Sequence, residues 1–403
     1  MTRAIGVDVD CPFTPAMLRK VTYAGSQSAS FVQATRDLEV LAESKVSRER
    51  VQRWTKRVGE ERVKEAKTLA DAYQALPLPE QQQSPTTQVP QVACVMMDGG
   101  RIQVRDRGQA QREGSGYWKE SLVGCCLSMV SQQHARDPSP TISKTFVDPQ
   151  RMRDLSREIK GISTSAEEAD VPSEEFPDDR QGRPEVLVRS VVATRAGQDA
   201  LGSRLVAEAH ARGFQAARRK AFVADGSATN WSVHKKYFSH YIPILDFTHA
   251  ICYVYTAAMV GQLSKAAWDD YVRWAQWLWE GAVDKVVAAL AVRAKELGRP
   301  PDGDETSPAA IVAKTLGYLQ NGRSRMKYHE YRRLGLPITS SHIESTIKQI
   351  NRRLKGTEKF WDQGAEPLLV LAADHLTETN RLVQFWKNRR KRLPSMRHYQ
   401  TAG

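Results

Sequence analysis

The chain has 403 residues, more than one ordinary domain needs, with 41% hydrophobic and 26% charged residues, the balance of a globular protein. Its net charge of +13 favours a polyanionic partner, nucleic acid first and an acidic membrane surface second, over a merely basic soluble protein. No stretch reaches the about 18 apolar residues of a membrane span, the N-terminal stretch has no signal-like apolar core, and the cysteines form no CxxC pair, so no membrane, no disulfide framework and a reducing cytoplasm are expected.

A helical pattern spans 17–76. Phe31, Ala34, Leu38 and Leu41 recur at helical spacing. After a turn at 44–46, Ser47 offers an N-cap for a second helix with Val51, Trp54 and Val58 as its buried stripe. Arg50, Arg53 and Arg57 fall mostly on the exposed side. The pair resembles a helix-turn-helix in which these arginines contact DNA; a solvated basic helix in a plain bundle fits the pattern equally. Residues 81–90 are a linker by composition, so 1–80 form a helical N-terminal region.

A β region follows. Residues 92–97 are a continuous apolar strand, Asp98-Gly99-Gly100 reads as a turn, 101–105 as the returning strand and 118–130 as the next strand. Residues 131–184 are polar, proline-bearing and locally acidic, an exposed insertion with short helical pieces. Residues 186–213 read as a helix closed by Gly213. Apolar strands at 220–224 and 241–245 run into Asp225 and Asp246.

Three strands, a helix, a strand, a helix and a strand are the order of the RNase H-like α/β fold, a mixed sheet flanked by helices. Here it would span 91–250 and be completed by 336–390, around a helical insertion at 251–335 and before a basic tail at 391–403. In the insertion, Trp268, Trp274, Trp277 and Trp279 are expected to form a core, with base stacking as the alternative. A helix begins near Ser340 with Ile343, Ile347, Ile350 and Leu354 as its buried stripe, and a last helix covers 364–387.

In such a sheet Asp98 and Asp225 end, or just follow, adjacent strands, and Glu344 on the later helix can approach the same point. Three carboxylates on rigid elements suit Mg²⁺ or Mn²⁺, and two such ions roughly 3.5–4 Å apart serve phosphodiester chemistry. Asp-Gly after a strand is also an ordinary turn, so each acid taken alone has a structural reading. Lys348, Arg352 and Lys355 follow Glu344 at roughly helical spacing, with Arg353 among them. They would lie along DNA phosphates; the alternative is a surface pair between Glu344 and Lys348. Asp246 and His249 read first as a structural pair at a helix start. Second, they hold the DNA or the active site, His249 touching a phosphate.

The stretch LGLPITSSHIESTIKQINRRLKG, followed by Trp361 and GAEPLLVLAA, resembles the C-terminal signature of bacterial insertion-sequence DDE transposases, of the kind with a helical insertion found in Mutator-like and hAT elements. VMMDGG, FVADGSATNW and PILDFTHA resemble their other blocks, so the resemblance covers about 90–390 apart from the acidic insertion. It implies that Asp98, Asp225 and Glu344 are the DDE triad and hold two Mg²⁺ (or Mn²⁺) ions, and that Asp246 and His249 match the C/D-x-x-H motif. It also implies metal-dependent cleavage at transposon ends and strand transfer into target DNA. The partners would be terminal repeats and target DNA, with a homodimer or higher oligomer on both ends, in a cytoplasmic, nucleoid-associated protein. SSHIES stands where relatives tend to carry glycine, with the glutamate in place. Two other readings remain: a structure-specific nuclease or resolvase on the same fold, and a domesticated, non-catalytic DNA-binding protein.

Overall fold

The computed structural model of the chain describes residues 11–104, 118–160, 183–261, 264–356, 361 and 364–392. Helices α1 (Pro15–Gln27), α2 (Phe31–Ala42), α3 (Arg48–Gln74) and α4 (Leu78–Gln82) precede strands β1 (Val92–Gln103) and β2 (Trp118–Val130). Then come α5 (Pro149–Lys160), β3 (Glu185–Thr194), α6 (Gln198–Ala211), β4 (Arg219–Ala224), α7 (Ala228–Tyr237) and β5 (Ile242–Leu245). The helices α8 (Phe247–Met259), α9 (Lys265–Trp279), α10 (Val283–Leu297), α11 (Pro308–Gly322) and α12 (Tyr328–Arg333) follow, and α13 (Ser341–Leu354), α14 (Ala365–His375) and α15 (Arg381–Arg392) come last.

The five strands form one mixed sheet in the order β3-β2-β1-β4-β5, with β1–β2 and β2–β3 antiparallel and β1–β4 and β4–β5 parallel. The expected mixed sheet flanked by helices is thus present. Along β1, Val92, Cys94 and Met96 enter one buried cluster while Ala93, Val95 and Met97 enter the other. The first is closed by Phe247 of α8, Leu278 of α9, Leu319 of α11, Ile343 of α13 and Leu368 of α14; the second by Leu201 and Leu205 of α6 and Val233 of α7. A strand covered on both faces has no solvent side to mark with polar residues, which is why it reads as an unbroken apolar run.

Asp98-Gly99-Gly100 is not a turn. β1 runs through it, with Asp98 opposite Val123, Gly99 opposite Leu122 and Gly100 opposite Ser121, and 101–103 belong to the same strand. β2 is long enough to pair with all of β1, and a continued ladder satisfies backbone groups that a turn would leave to water. The third strand of the meander is instead β3, in a stretch expected to start a helix over 186–213. Its valines and closing threonine suit a pleated strand beside β2, and α6 starts only after Gly197, at φ 92°. Gly213, at φ 70°, does end that helix, with the left-handed backbone a helix C-terminus favours.

The expected last helix is broken into α14 and α15. The break lets Arg381 turn back onto Asp374, 3.0 Å away. The 131–184 insertion is not all surface: Ile142 and Met152 are buried in the main core, while its acidic stretch at 161–182 lies outside the described residues. The basic tail from 393 onward also lies outside them. Trp274 and Trp279 are buried, and Trp268 and Trp277 pack against the same core, which agrees with the core reading of the tryptophans.

Ser47 caps α3 by accepting from the Arg50 N–H, and Val51, Trp54 and Val58 are buried as expected, whereas Leu41 is exposed. α3 then continues along α6 and α14. Its Arg62, 2% exposed, donates to Asp374 of α14 at 2.7 Å, and α1–α3 share a core with Leu371, Phe385 and Trp386. The N-terminal helices are therefore packed into the C-terminal ones. All five cysteines are buried. No helix of the described residues is long and apolar enough to cross a membrane.

Candidate functional site

In the parallel pair β1–β4, Met97 is the register partner of Ala224. The next residues are Asp98, where β1 runs on beside β2, and Asp225, which leaves β4, so two carboxylates follow one another's register where the β1–β4 pairing ends. Asp98 is half-buried, and its Oδ1 accepts from the Gly99 N–H at 2.7 Å. Asp225 Oδ1 accepts from the Ser227 N–H at 2.9 Å and from Asn230 Nδ2 at 2.6 Å, which orders the chain into α7. The turn reading of Asp225 is therefore true of one of its oxygens.

Asp246 lies one strand further on. Its N–H donates to the Ala224 carbonyl at 2.8 Å, extending the β4–β5 ladder by a residue. Its side chain is fully buried and starts α8: Oδ2 accepts from the His249 N–H at 2.9 Å and from His249 Nδ1 at 2.5 Å. Its Oδ1 accepts from the Ser340 N–H at 2.8 Å, immediately before α13. A buried carboxylate with three donors is a structural anchor. Glu344, in the first turn of α13, accepts from Ser340 Oγ at 3.2 Å and lies 4.0 Å from His249 Nδ1.

The electrostatics tie these groups together. Burial, and next the charge of Asp225, push Asp98 up to about 6, against the easing effect of the Gly99 N–H and His249. Burial and the charge of Asp246 raise Glu344, while His249 and the Ser340 hydroxyl act against that rise. Burial disfavours a charge on His249 but is outweighed by the Asp246 hydrogen bond and the charges of Asp246, Asp225 and Glu344, which lift the imidazole to about 9. One histidinium thus sits among four carboxylates.

Among the described residues, Asp246, His249 and Glu344 are the trio whose donor atoms all lie within 4.8 Å of one another. Asp98 and Asp225 are coupled to that trio by charge rather than gathered at the same spacing. Sequence reasoning missed Ser340 and Asn230, which hold the acids, although Asn230 was within reach as a polar residue in the turn after Asp225. It also missed Tyr318 of α11, whose ring lies so close to Gly226 that a Cβ there would meet it at 2.3 Å. The Tyr318 hydroxyl is buried without a hydrogen-bond partner among the described residues.

Of the expected DNA-contacting residues, Arg50 and Arg53 are exposed on α3 and Arg57 lies over the Trp54 ring at 4.8 Å. Lys348 is exposed and pairs with Glu158 of α5, not with Glu344. Arg352 is exposed, and Lys355, at the end of α13, stands 6.0 Å from the Trp118 ring. Arg353 belongs to a different face. It is 4% exposed, donates to the Gly25 carbonyl at 3.0 and 3.2 Å, and lies over Phe31 and Trp361. Three residues beyond Ile350, it shares the buried stripe, so it joins α13 to α1 and is removed from the DNA-contacting set. Burial brings its guanidinium down to about 10. His249 keeps its structural reading, since Asp246 holds its Nδ1. No family model matches the chain, and none of the curated proteins compared with it matches either.

Proposed function

We propose that the chain is a DDE-type DNA transposase, with Asp98, Asp225 and Glu344 as the carboxylates that hold two Mg²⁺ (or Mn²⁺) ions. The observation that carries this reading is the Met97–Ala224 register, which sets Asp98 beside Asp225 at the edge approached by the first turn of α13. The strand order β3-β2-β1-β4-β5, with β2 antiparallel to its neighbours, supports our reading of the core as an RNase H-like fold.

The residues fit divalent cations by donor type, since hard carboxylate oxygens on rigid strands and a helix are what Mg²⁺ prefers. Asp98 is raised by burial and next by the charge of Asp225, and the second of these is a repulsion that a bound cation would relieve. Asp246 is a poor donor for a metal because its oxygens are already taken. When bound, such ions supply the Lewis acidity that activates an attacking water or 3′-hydroxyl and stabilises the leaving oxygen. The chain's own residues orient the donors: Ser227 and Asn230 turn Asp225, Ser340 holds Glu344, and His249 offsets part of the repulsion. Arg50, Arg53, Arg57, Lys348, Arg352 and Lys355 would run along backbone phosphates, with transposon ends joined in a homodimer or larger assembly.

The test is a strand-transfer assay with Mg²⁺ on Asp98→Asn, Asp225→Asn and Glu344→Gln. Each is expected to lose activity by at least about a thousandfold, and full activity in any one sinks that residue's assignment. Cleavage without joining in the unmodified protein would shift the reading to a nuclease or resolvase. A second reading, a non-catalytic DNA-binding protein, is favoured by the hydrogen bonds that give Asp225 and Asp246 structural tasks. DNA binding that falls with salt, in a protein that neither binds Mg²⁺ nor cuts, would establish it.

A further inference from the structure

Between α1 and α15 lies a cleft of about 1180 Å³ that shares no residue with the acidic site. Its polar wall is cationic. Arg19 and Lys20 come from α1, and Lys387 and Arg390 from α15; all four are exposed and have no ion pair among the described residues. The carboxylate of the wall, Asp37, accepts from the Ser28 hydroxyl at 2.5 Å and the Gln33 amide at 2.8 Å; these neutral donors keep it ionised, so it offsets one of the four cations and the wall stays net cationic.

A second observation is independent of this charge. His375, the last residue of α14, lines the same cleft, and its Nε2 is buried without a hydrogen-bond partner among the described residues. A buried polar atom left this way is destabilising, and a polar group brought into the cleft would relieve it. Burial and the Arg19 charge, against the pull of Asp374, hold the imidazole down at about 4, so at neutral pH the uncharged ring can donate one N–H to an anion. Tyr23 stands edge-on to this ring at 5.0 Å and is 58% exposed toward solvent. Thr14 and Pro15 bring the N-terminal end of α1, with its favourable dipole, to the same wall.

We propose that this cleft binds the phosphate backbone of a nucleic-acid strand through Arg19, Lys20, His375, Lys387 and Arg390, with Tyr23 against the sugar or base. The proposal rests on the reading of the chain as a DNA-processing protein and adds a contact surface that the acidic site does not contain. Charge complementarity selects the occupant: four unpaired cations on two helices, in a chain of net charge +13, match a polyanion better than a lone small anion.

The experiment uses the full chain and a fluorescent DNA duplex of about 30 base pairs, with binding followed by anisotropy between about 50 and 200 mM salt. Changing Arg19, Lys20, Lys387 and Arg390 to serine is expected to weaken binding about 10–100-fold and to flatten the log–log salt slope by about 2–4. A milder pair, Lys20→Gln with Lys387→Gln, should flatten it by about 1–2, and it stands in if the fourfold variant loses its circular-dichroism signature. In the unmodified protein, bound duplex should protect Lys20 and Lys387 from acetylation. Unchanged affinity, slope and acetylation, with duplex still bound, overturn the cleft alone. A protein that binds no nucleic acid overturns both the cleft and the transposase reading. Protection by inorganic phosphate or a polyglutamate peptide, but not by duplex at equal ionic strength, overturns the proposal in favour of those occupants.

Discussion

The backbone N–H of Ser340 donates to the buried Asp246 carboxylate at 2.8 Å, fastening the start of α13 to the end of β5 across 94 residues of sequence. Through this bond the segment that carries Glu344 is held against the sheet edge, and the same carboxylate holds His249. Asp246→Ala removes a helix cap, orphans the Ser340 N–H and leaves the imidazolium without its counter-charge. The expected loss is about 3–5 kcal/mol in urea unfolding. A loss under about 1 kcal/mol would mean the anchor is not one.

His249 is held above its ordinary value, so its contribution to stability is complete below about pH 6.5 and fades as pH rises through about 9. The stability lost across that window is expected to reach up to about 3 kcal/mol. His249→Gln should flatten the unfolding free energy between those limits. An unchanged slope in the variant would assign the pH dependence to other groups.

Asp98 is raised too, and its linkage has the same sign at lower pH: stability is greatest below the normal carboxylate range and falls as pH rises through about 6. At pH 7.5, Asp98→Asn should therefore stabilise the metal-free protein by about 1–3 kcal/mol. Millimolar Mg²⁺ should raise the Tm of the unmodified protein and leave that of the variant nearly still. Equal metal responses in the two proteins would remove Asp98 from the cation site.

Arg353→Met tests the reassignment of a basic residue from surface to interior. It removes two hydrogen bonds to Gly25 and the cation–ring contacts with Phe31 and Trp361. A stability loss of about 2–4 kcal/mol with an unaltered DNA salt slope is expected. A fall in the slope at constant stability would return Arg353 to the DNA-contacting set.

Arg62 and Asp374 form an ion pair with side chains 2% exposed on both sides, and Arg381 completes it. Arg62→Ala should be destabilising by about 2–4 kcal/mol, because it leaves the buried Asp374 carboxylate with Arg381 as its one remaining guanidinium partner. A fragment lacking the first 80 residues should expose Leu371 and Phe385 and aggregate. A soluble, cooperatively unfolding fragment would make the N-terminal helices dispensable to the fold.

Local chemistry was legible in the chain. The apolar runs of β1 and β4, the Ser47 cap, the Gly213 stop and the stripe of α13 depend on residues a few positions apart. The acids Asp98, Asp225, Asp246 and Glu344 could be picked out for the same reason, since each ends an apolar run or opens a helical pattern, although Asp98 proved to lie within β1. What only the tertiary structure decided is what those boundaries meet. Asp98-Gly99-Gly100 has the residues of a turn, yet a long β2 pairs straight through it. The run from Val186 to Thr194 lacks strand alternation until its place beside β2 is known. Arg353 looks like its exposed neighbours until α1 supplies the Gly25 carbonyl. Asp246 became the anchor because β5, α8 and the Ser340 amide converge on one buried carboxylate. Pattern within a segment reports which faces are apolar; which partner covers them, and which buried donor finds which acceptor, is settled only when distant segments pack.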